Sequence, residues 1–181
     1  MNPQTHKIIS AILRNDKKLT SYKVALVRSI NDVVLAFPDI KLHENGVAIP
    51  LRFLADFWMA YYWSFADAEK PIYQGSRAFR DGVKRRDIVF RDNLTNLRLQ
   101  WEQIIGCESA QSDGFVILDD MKVKRKRASY PEGFAQSYRS TITSICSAIE
   151  MPIRYAGNGE WSIFQKPEIL SKLLPNTTLP N

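Results

Sequence analysis

The sequence predicts an α+β domain that is mostly α-helical: a helical body with a few short strands and a C-terminal β-hairpin in a winged-helix-like layout. Three observations predict it. Several long segments carry apolar residues every three or four positions, the period of a helix packed on a core. Two apolar runs, Val47-Ala48-Ile49 and Phe115-Val116-Ile117-Leu118, have strand rather than helix length. Near the end, Gly157-Asn158-Gly159 separates Pro152–Tyr155 from Trp161–Phe164, as a hairpin turn does.

In chain order, residues 3–14 read as a short amphipathic helix with Ile8, Ile9, Ile12 and Leu13 on one side, ended by Asn15-Asp16-Lys17-Lys18. A second helix runs from about Ser21 to Phe37, with Thr20 or Ser21 as N-cap, Val24, Val27, Ile30, Val34 and Phe37 as its core stripe, and Pro38 as its stop. His43-Glu44-Asn45-Gly46 is turn chemistry ahead of the short strand at Val47. Pro50 fits the first position of a helix, where its missing N–H costs nothing. That helix, Leu51 to about Phe65, is apolar nearly all round, as a buried central helix is. Residues 66–82 are loop-like. A further helix is expected from Asp87 to Ile105, with Gly106 as C-cap. Phe115–Leu118 reads as a buried strand and Pro131–Glu150 as a helix leading into the hairpin. The expected organisation is one mainly helical nucleic-acid-binding domain over residues 1–170 and a linker or frayed tail over 171–181.

With 181 residues, 45% hydrophobic and 24% charged, the chain has the composition of a globular domain able to bury a core without cross-links. No run of about 18 apolar residues is free of charge, so no membrane span is expected. Cys107 and Cys146 match no CxxC pattern and suggest a reducing compartment, and residues 1–14 hold no signal-peptide h-region. The expected location is the cytoplasm.

The net charge is +6, a balance that favours an acidic partner, nucleic acid foremost. The positive charge is clustered. From Arg77 to Arg98 there are seven basic residues, Arg85 and Arg86 among them, partly offset by Asp81, Asp87 and Asp92. Lys122, Lys124, Arg125, Lys126 and Arg127 then follow with no acid between them. Charges packed so closely repel one another, which a polyanion relieves; the bland alternative is a solvated loop. The dense cluster precedes the helix–hairpin pair. Gln136, Ser137, Tyr138, Arg139 and Ser140 would form the polar face of a groove-reading helix. The candidate nucleic-acid contacts are therefore Arg85, Arg86, Lys122, Lys124, Arg125, Lys126, Arg127 and Arg139, with double-stranded DNA as the expected ligand.

Catalytic signatures are sparse. His6 and His43 have no neighbours at metal-ligand spacing, and neither a P-loop nor a GxSxG motif is present. Asp119-Asp120-Met121-Lys122 after a predicted strand has the acid-x-Lys form of the second half of a Mg²⁺-dependent nuclease motif, in which the carboxylates would hold the ion and Lys122 would orient water.

The stretch Ser21-Tyr22-Lys23-Val24-Ala25-Leu26-Val27-Arg28-Ser29-Ile30 resembles a helix found in the N-terminal region of bacterial HNH endonuclease family proteins. Val47–Leu51, the aromatic pairs Phe57-Trp58 and Tyr61-Tyr62-Trp63, Pro71–Gly75, Met151–Tyr155 and Trp161–Phe164 extend the resemblance over about residues 20–165. It implies a DNA-binding module associated with an HNH-type nuclease, in restriction or phage defence. The HNH motif itself is absent after His43, so the resemblance carries over no catalytic residue. The chain would be a segment ahead of the nuclease or a relative without one. No cofactor is expected in this chain; a divalent metal would belong to a nuclease domain, covalently linked or a separate partner. The competing expectation is a protein-interaction subunit of a nucleic-acid-processing complex, docking through an exposed Trp58, Tyr62 or Trp63.

Overall fold

The computed structural model describes residues 3–14, 21–40, 42–43, 46–74, 79–80, 83–84 and 87–166. Among these, seven α-helices account for the architecture: α1 (Pro3–Arg14), α2 (Tyr22–Ala36), α3 (Leu51–Tyr61), α4 (Arg91–Ile105), α5 (Asp113–Lys122), α6 (Lys124–Arg127) and α7 (Glu132–Arg154). A 3-10 turn, Trp63–Ala66, follows α3. Extended pairing among the described residues is confined to two isolated antiparallel pairs of two-residue strands: β1 (Leu42–His43) with β2 (Gly46–Val47), and β3 (Phe79–Arg80) with β4 (Val83–Lys84). Neither amounts to a sheet that could carry a core face. Apart from these two pairs, the regular structure of the described residues is helical, which overturns the α+β expectation and, with it, the winged-helix layout.

The C-terminal hairpin is replaced by helix. α7 continues to Arg154, through the residues expected to form the first strand. The reason is the periodic burial of Ile142, Ile145, Ala148, Ile149 and Pro152, which carries the α7 core stripe past Glu150. After α7 the chain doubles back without strands. Gly157 takes φ +101°, and a Cβ there would collide with the Ser162 hydroxyl oxygen, so this turn needs glycine. Ser162 Oγ donates to the Ala156 carbonyl at 2.6 Å.

Phe115–Leu118 is likewise helical, inside α5. Ile117, Leu118 and Met121 are buried whereas Phe115 and Val116 face solvent, a one-sided pattern at helical spacing. A run of four apolar residues is too short for periodicity to separate the two states. Gly114 lets α5 approach α3: a Cβ there would sit 2.9 Å from the Ala60 Cα and from the Trp63 Cβ. Gly114→Val should therefore destabilise the fold by about 1–3 kcal/mol, because the obstacles are the Ala60 Cα and the root of the fully buried Trp63 side chain, which cannot swing away. A thermal melt followed by circular dichroism measures it, and an unchanged Tm would mean that α5 can shift freely.

α3 is the central helix. Leu54, Ala55, Trp58, Met59 and Ala60 are buried, and α2, α5 and α7 pack around it. The 3-10 turn extends this core through Trp63 and Ala66 to α4, which packs in turn on α7. The aromatic segment thus divides at Tyr62 instead of forming one helix to Phe65. On α2 the buried side is Ala25, Leu26, Ser29 and Val33, while Val24 and Val34 are exposed. The expected stripe is displaced by one position. α2 carries two overlapping apolar patterns, and on the buried one, with its small residues, Ser29 accepts a hydrogen bond from Trp58 Nε1 at 3.1 Å. α4 starts at Arg91, with Asp87–Phe90 forming the turn before it, and Gly106 closes it in the left-handed conformation at φ +72°.

Candidate nucleic-acid interface

The dense basic run is a short helix of its own. Val123 is extended (φ −94°, ψ 115°) and breaks the backbone between α5 and α6. α6 then presents Lys124, Arg125, Lys126 and Arg127 in one turn, all four exposed. Helical geometry fans four consecutive side chains by about 100° each, so they cannot all face one partner within the fold.

Their local partners differ. Lys126 Nζ lies 2.6 Å from Asp120 Oδ1. Tyr130 donates its hydroxyl proton to Asp120 Oδ2 at 2.7 Å. These two hydrogen bonds, Lys126 first, hold the Asp120 carboxyl below its usual range. Lys122 pairs with Asp119 at 3.1 Å and lies over the Phe57 and Phe37 rings. Arg127 Nη1 donates to the Met121 carbonyl at 3.2 Å. Lys124 and Arg125 form no ion pair among the described residues. Arg139, on the outer side of α7, pairs with Glu132, and both side chains are largely in solvent. Such exposed pairs hold their partners weakly and exchange readily for a phosphate. Arg85 and Arg86 lie outside the described residues.

Beneath this basic surface sits a buried carboxylate. Asp56 is 8% exposed, and its Oδ1 accepts the Tyr138 hydroxyl proton at 2.6 Å. Burial raises the Asp56 pKa, opposed by the Tyr138 hydrogen bond and by the charges of Arg52 and Lys122. Burial, and then Asp56 itself, push the Tyr138 hydroxyl up, against Arg52 and Arg127. Three helices thus direct positive charge at one buried Asp–Tyr pair. Tyr138 belongs to this pair and not to a solvent-facing reading surface; Ser137 is likewise engaged, accepting from Gln100 Nε2 at 2.7 Å. Arg52 escapes a reading by charge clusters, although its spacing of four from Asp56 on a helix is a usable signal.

The first basic cluster does not form one surface. Arg91 and Arg98 are buried structural residues. Arg91 donates from Nε and Nη2 to the two carboxylate oxygens of Asp87, at 2.7 and 2.6 Å. Arg98 reaches Asp67 at 2.6 Å, Glu102 at 3.2 Å and the carbonyls of Trp63 and Ser109. Arg80 and Lys84 belong to β3 and β4, and Arg77 lies outside the described residues.

The acid-x-Lys motif loses its strand. Asp119, Asp120 and Lys122 sit on α5, where neighbouring carboxylates diverge, and each acid is taken up by a lysine. Among the described residues, no group of three or more His, Cys, Asp or Glu side chains could hold a metal ion. The aromatic docking surface is also absent, because Trp58, Tyr62 and Trp63 are at most 2% exposed. Nor is any helix among the described residues long and apolar enough to cross a membrane.

A second feature adjoins Arg139. Between α4 and α7 lies an open groove of about 470 Å³, lined by Asn93, Gln136, Arg139, Ser140, Thr143 and Ser144 and continuing to Ser147. No acidic side chain lines it.

No curated protein and no solved structure matches this chain. A family model does match, over residues 2–180, which takes in every helix described above. By that match the chain belongs to the DUF8808 family, a domain of unknown function.

Proposed function

We propose that this chain is a DNA-binding module that grips the duplex backbone without cutting it. In the cytoplasmic setting that its two unpatterned cysteines suggest, it would hold DNA for a nuclease in restriction or phage defence, the role that the resemblance to HNH endonuclease proteins implies. Any divalent metal would then belong to that nuclease. The observation that carries the reading is α6, a full helical turn of exposed basic side chains in which Lys124 and Arg125 have no carboxylate partner among the described residues. An all-basic turn disfavours itself by self-repulsion, and phosphate contact removes that cost while releasing counterions from the DNA. Arg139 and Lys122 add charges whose present ion pairs are exposed and exchangeable.

The test is fluorescence anisotropy with a labelled duplex across a salt series, with a Mg²⁺ cleavage gel alongside. Wild-type protein should bind with steep salt dependence and leave the DNA intact. Lys124→Ala with Arg125→Ala should weaken binding on unrelated sequences alike and reduce the log–log salt slope by about 1.8, at about 0.9 for each phosphate no longer neutralised. Unchanged slope and affinity would refute the assignment to α6. Mg²⁺-dependent cleavage abolished by Asp120→Ala would replace it with a catalytic reading.

A further inference from the structure

We propose that the groove between α4 and α7 is a second nucleic-acid contact, one that holds the sugar–phosphate backbone of duplex DNA through uncharged donors. The inference rests on the DNA-binding reading above and assigns it a site distinct from α6.

The argument starts from unspent hydrogen-bonding capacity. The side chains of Asn93, Gln136, Ser140 and Ser144 converge on the groove and make no hydrogen bond among the described residues. Thr143 and Ser147 differ: their hydroxyls donate to the Arg139 and Thr143 carbonyls, at 2.9 and 3.3 Å. Of the four hydroxyls that line the cleft, two therefore stay uncommitted, together with two carboxamides, beside a single guanidinium. These residue types are the ones that fix register on a duplex by contacting phosphate and sugar oxygens, without reading sequence. The lining also excludes other occupants. It has no acid to receive a cation, and none of its lining residues is a large hydrophobic one that would anchor an apolar helix.

Dimensions fit the same ligand. The outer line of α7 from Gln136 to Ser147 runs about 16 Å at about 1.5 Å per residue, long enough to lie along more than one phosphate of a strand. Arg139 sits within that line. Its guanidinium is shared with Glu132, whose side chain is 81% exposed and easily displaced by a phosphate. Asn93 closes the groove from α4, so both walls are supplied by helices that pack firmly on each other.

Uncharged contacts leave a signature that α6 does not. Releasing no counterions, they contribute equally at every salt concentration. The quadruple variant Asn93→Ala, Gln136→Ala, Ser140→Ala and Ser144→Ala should weaken duplex binding by about ten- to a hundredfold at all salt concentrations. Its salt slope should match that of wild type. Ser140→Glu, which places a negative charge inside the groove, should weaken binding at least as much. Three of the four alanine sites are exposed and Ser144 is half-buried, so the thermal melts should stay near wild type and separate a weakened interface from a damaged fold. Wild-type affinity in both variants, with the α6 variant still impaired, would overturn the groove and leave α6 standing. A lowered salt slope in the quadruple variant would also overturn it, because the contacts removed would then be ionic. Failure of wild-type protein to bind the duplex at low salt would overturn both readings.

Discussion

Replacing Arg91 by alanine should destabilise the protein by about 3–5 kcal/mol, the loss expected when one partner of a buried ion pair is removed. Arg91 and Asp87 are each 8% exposed. The guanidinium does more than pair with Asp87. It donates to the carbonyls of Ile72, at 2.8 Å, and Phe65, and lies over the Tyr73 ring. Asp87 in turn accepts the Gln74 backbone N–H at 2.8 Å, and Gln74 bonds Ser21, which tethers the start of α2. Alanine would leave the carboxylate buried with only backbone donors, and two carbonyls short of a partner. Replacing both ions by apolar residues, Arg91→Met with Asp87→Leu, should cost less than Arg91→Ala, because it removes the uncompensated charge, although the two carbonyls and the Gln74 N–H still lose their partners. Urea denaturation at neutral pH, with the m-value checked for constancy, distinguishes these outcomes. A loss below about 1 kcal/mol for Arg91→Ala would show that water reaches Asp87 and that the pair is not buried in solution.

The pH dependence follows from the same pair. Burial alone would raise the Asp87 pKa, but the Arg91 hydrogen bonds, then those from Gln74 and Ile88, bring it below the usual carboxylate value. A carboxyl with a depressed folded-state pKa stabilises the fold above its unfolded pKa of about 3.9, and that contribution disappears as pH falls through the folded value. Asp67 and Asp120 act in the same direction. Wild-type protein should therefore lose stability on acidification below about pH 4, whereas the Arg91→Ala curve should be flatter there, having already lost the pair.

These residues also mark where sequence reasoning reaches its limit. Arg91 and Arg98 read as surface cations because sequence gives charge without position. Yet both stand four residues from an acid, Asp87 and Glu102, at the spacing that places partners together on one helix face. The spacing alone does not separate them from Lys124–Arg127, since Lys124 also stands four residues from Asp120; the extended Val123 breaks the helix between those two, and the structure exposes all four residues of the run. Most helices are legible from their periodicity, the buried aromatic helix above all. The predicted strands fail for a shared reason: Phe115–Leu118 and Pro152–Tyr155 are short segments whose partners, α3 and the rest of α7, are fixed by tertiary packing. Glycine at 157 does signal a turn, but a turn after a helix satisfies it as well as a hairpin does. The groove is beyond reach for another reason. Gln136, Arg139 and Ser140 can be named from the sequence, but Asn93 joins them only because α4 packs on α7.

Trp58→Ala should be as damaging as the loss of Arg91, at about 3–5 kcal/mol, through a cavity in place of a lost charge partner. Trp58 is fully buried on α3 and meets Tyr22, Tyr62 and Phe90 at centroid distances of 5.2, 5.7 and 6.3 Å. These rings come from α2, the end of α3 and the turn before α4, so truncation removes the piece that α2 and the entry to α4 both rest against. The indole also has a polar requirement. Its Nε1 donates to Ser29 Oγ, which donates onward to the Leu26 carbonyl at 3.0 Å. Ser29→Ala should cost about 1–3 kcal/mol, because it strands a buried N–H with no substitute acceptor. Trp58→Phe removes that donor, so adding Ser29→Ala to Trp58→Phe should cost clearly less than Ser29→Ala in the wild-type background. A double-mutant cycle by urea denaturation reads the coupling directly. Strict additivity would mean that the indole contributes only volume. Positive coupling would show that the small residue at 29 is fixed by hydrogen-bonding chemistry, which is why the Ser29 side of α2, and not the more apolar Val24–Val34 side, faces the core.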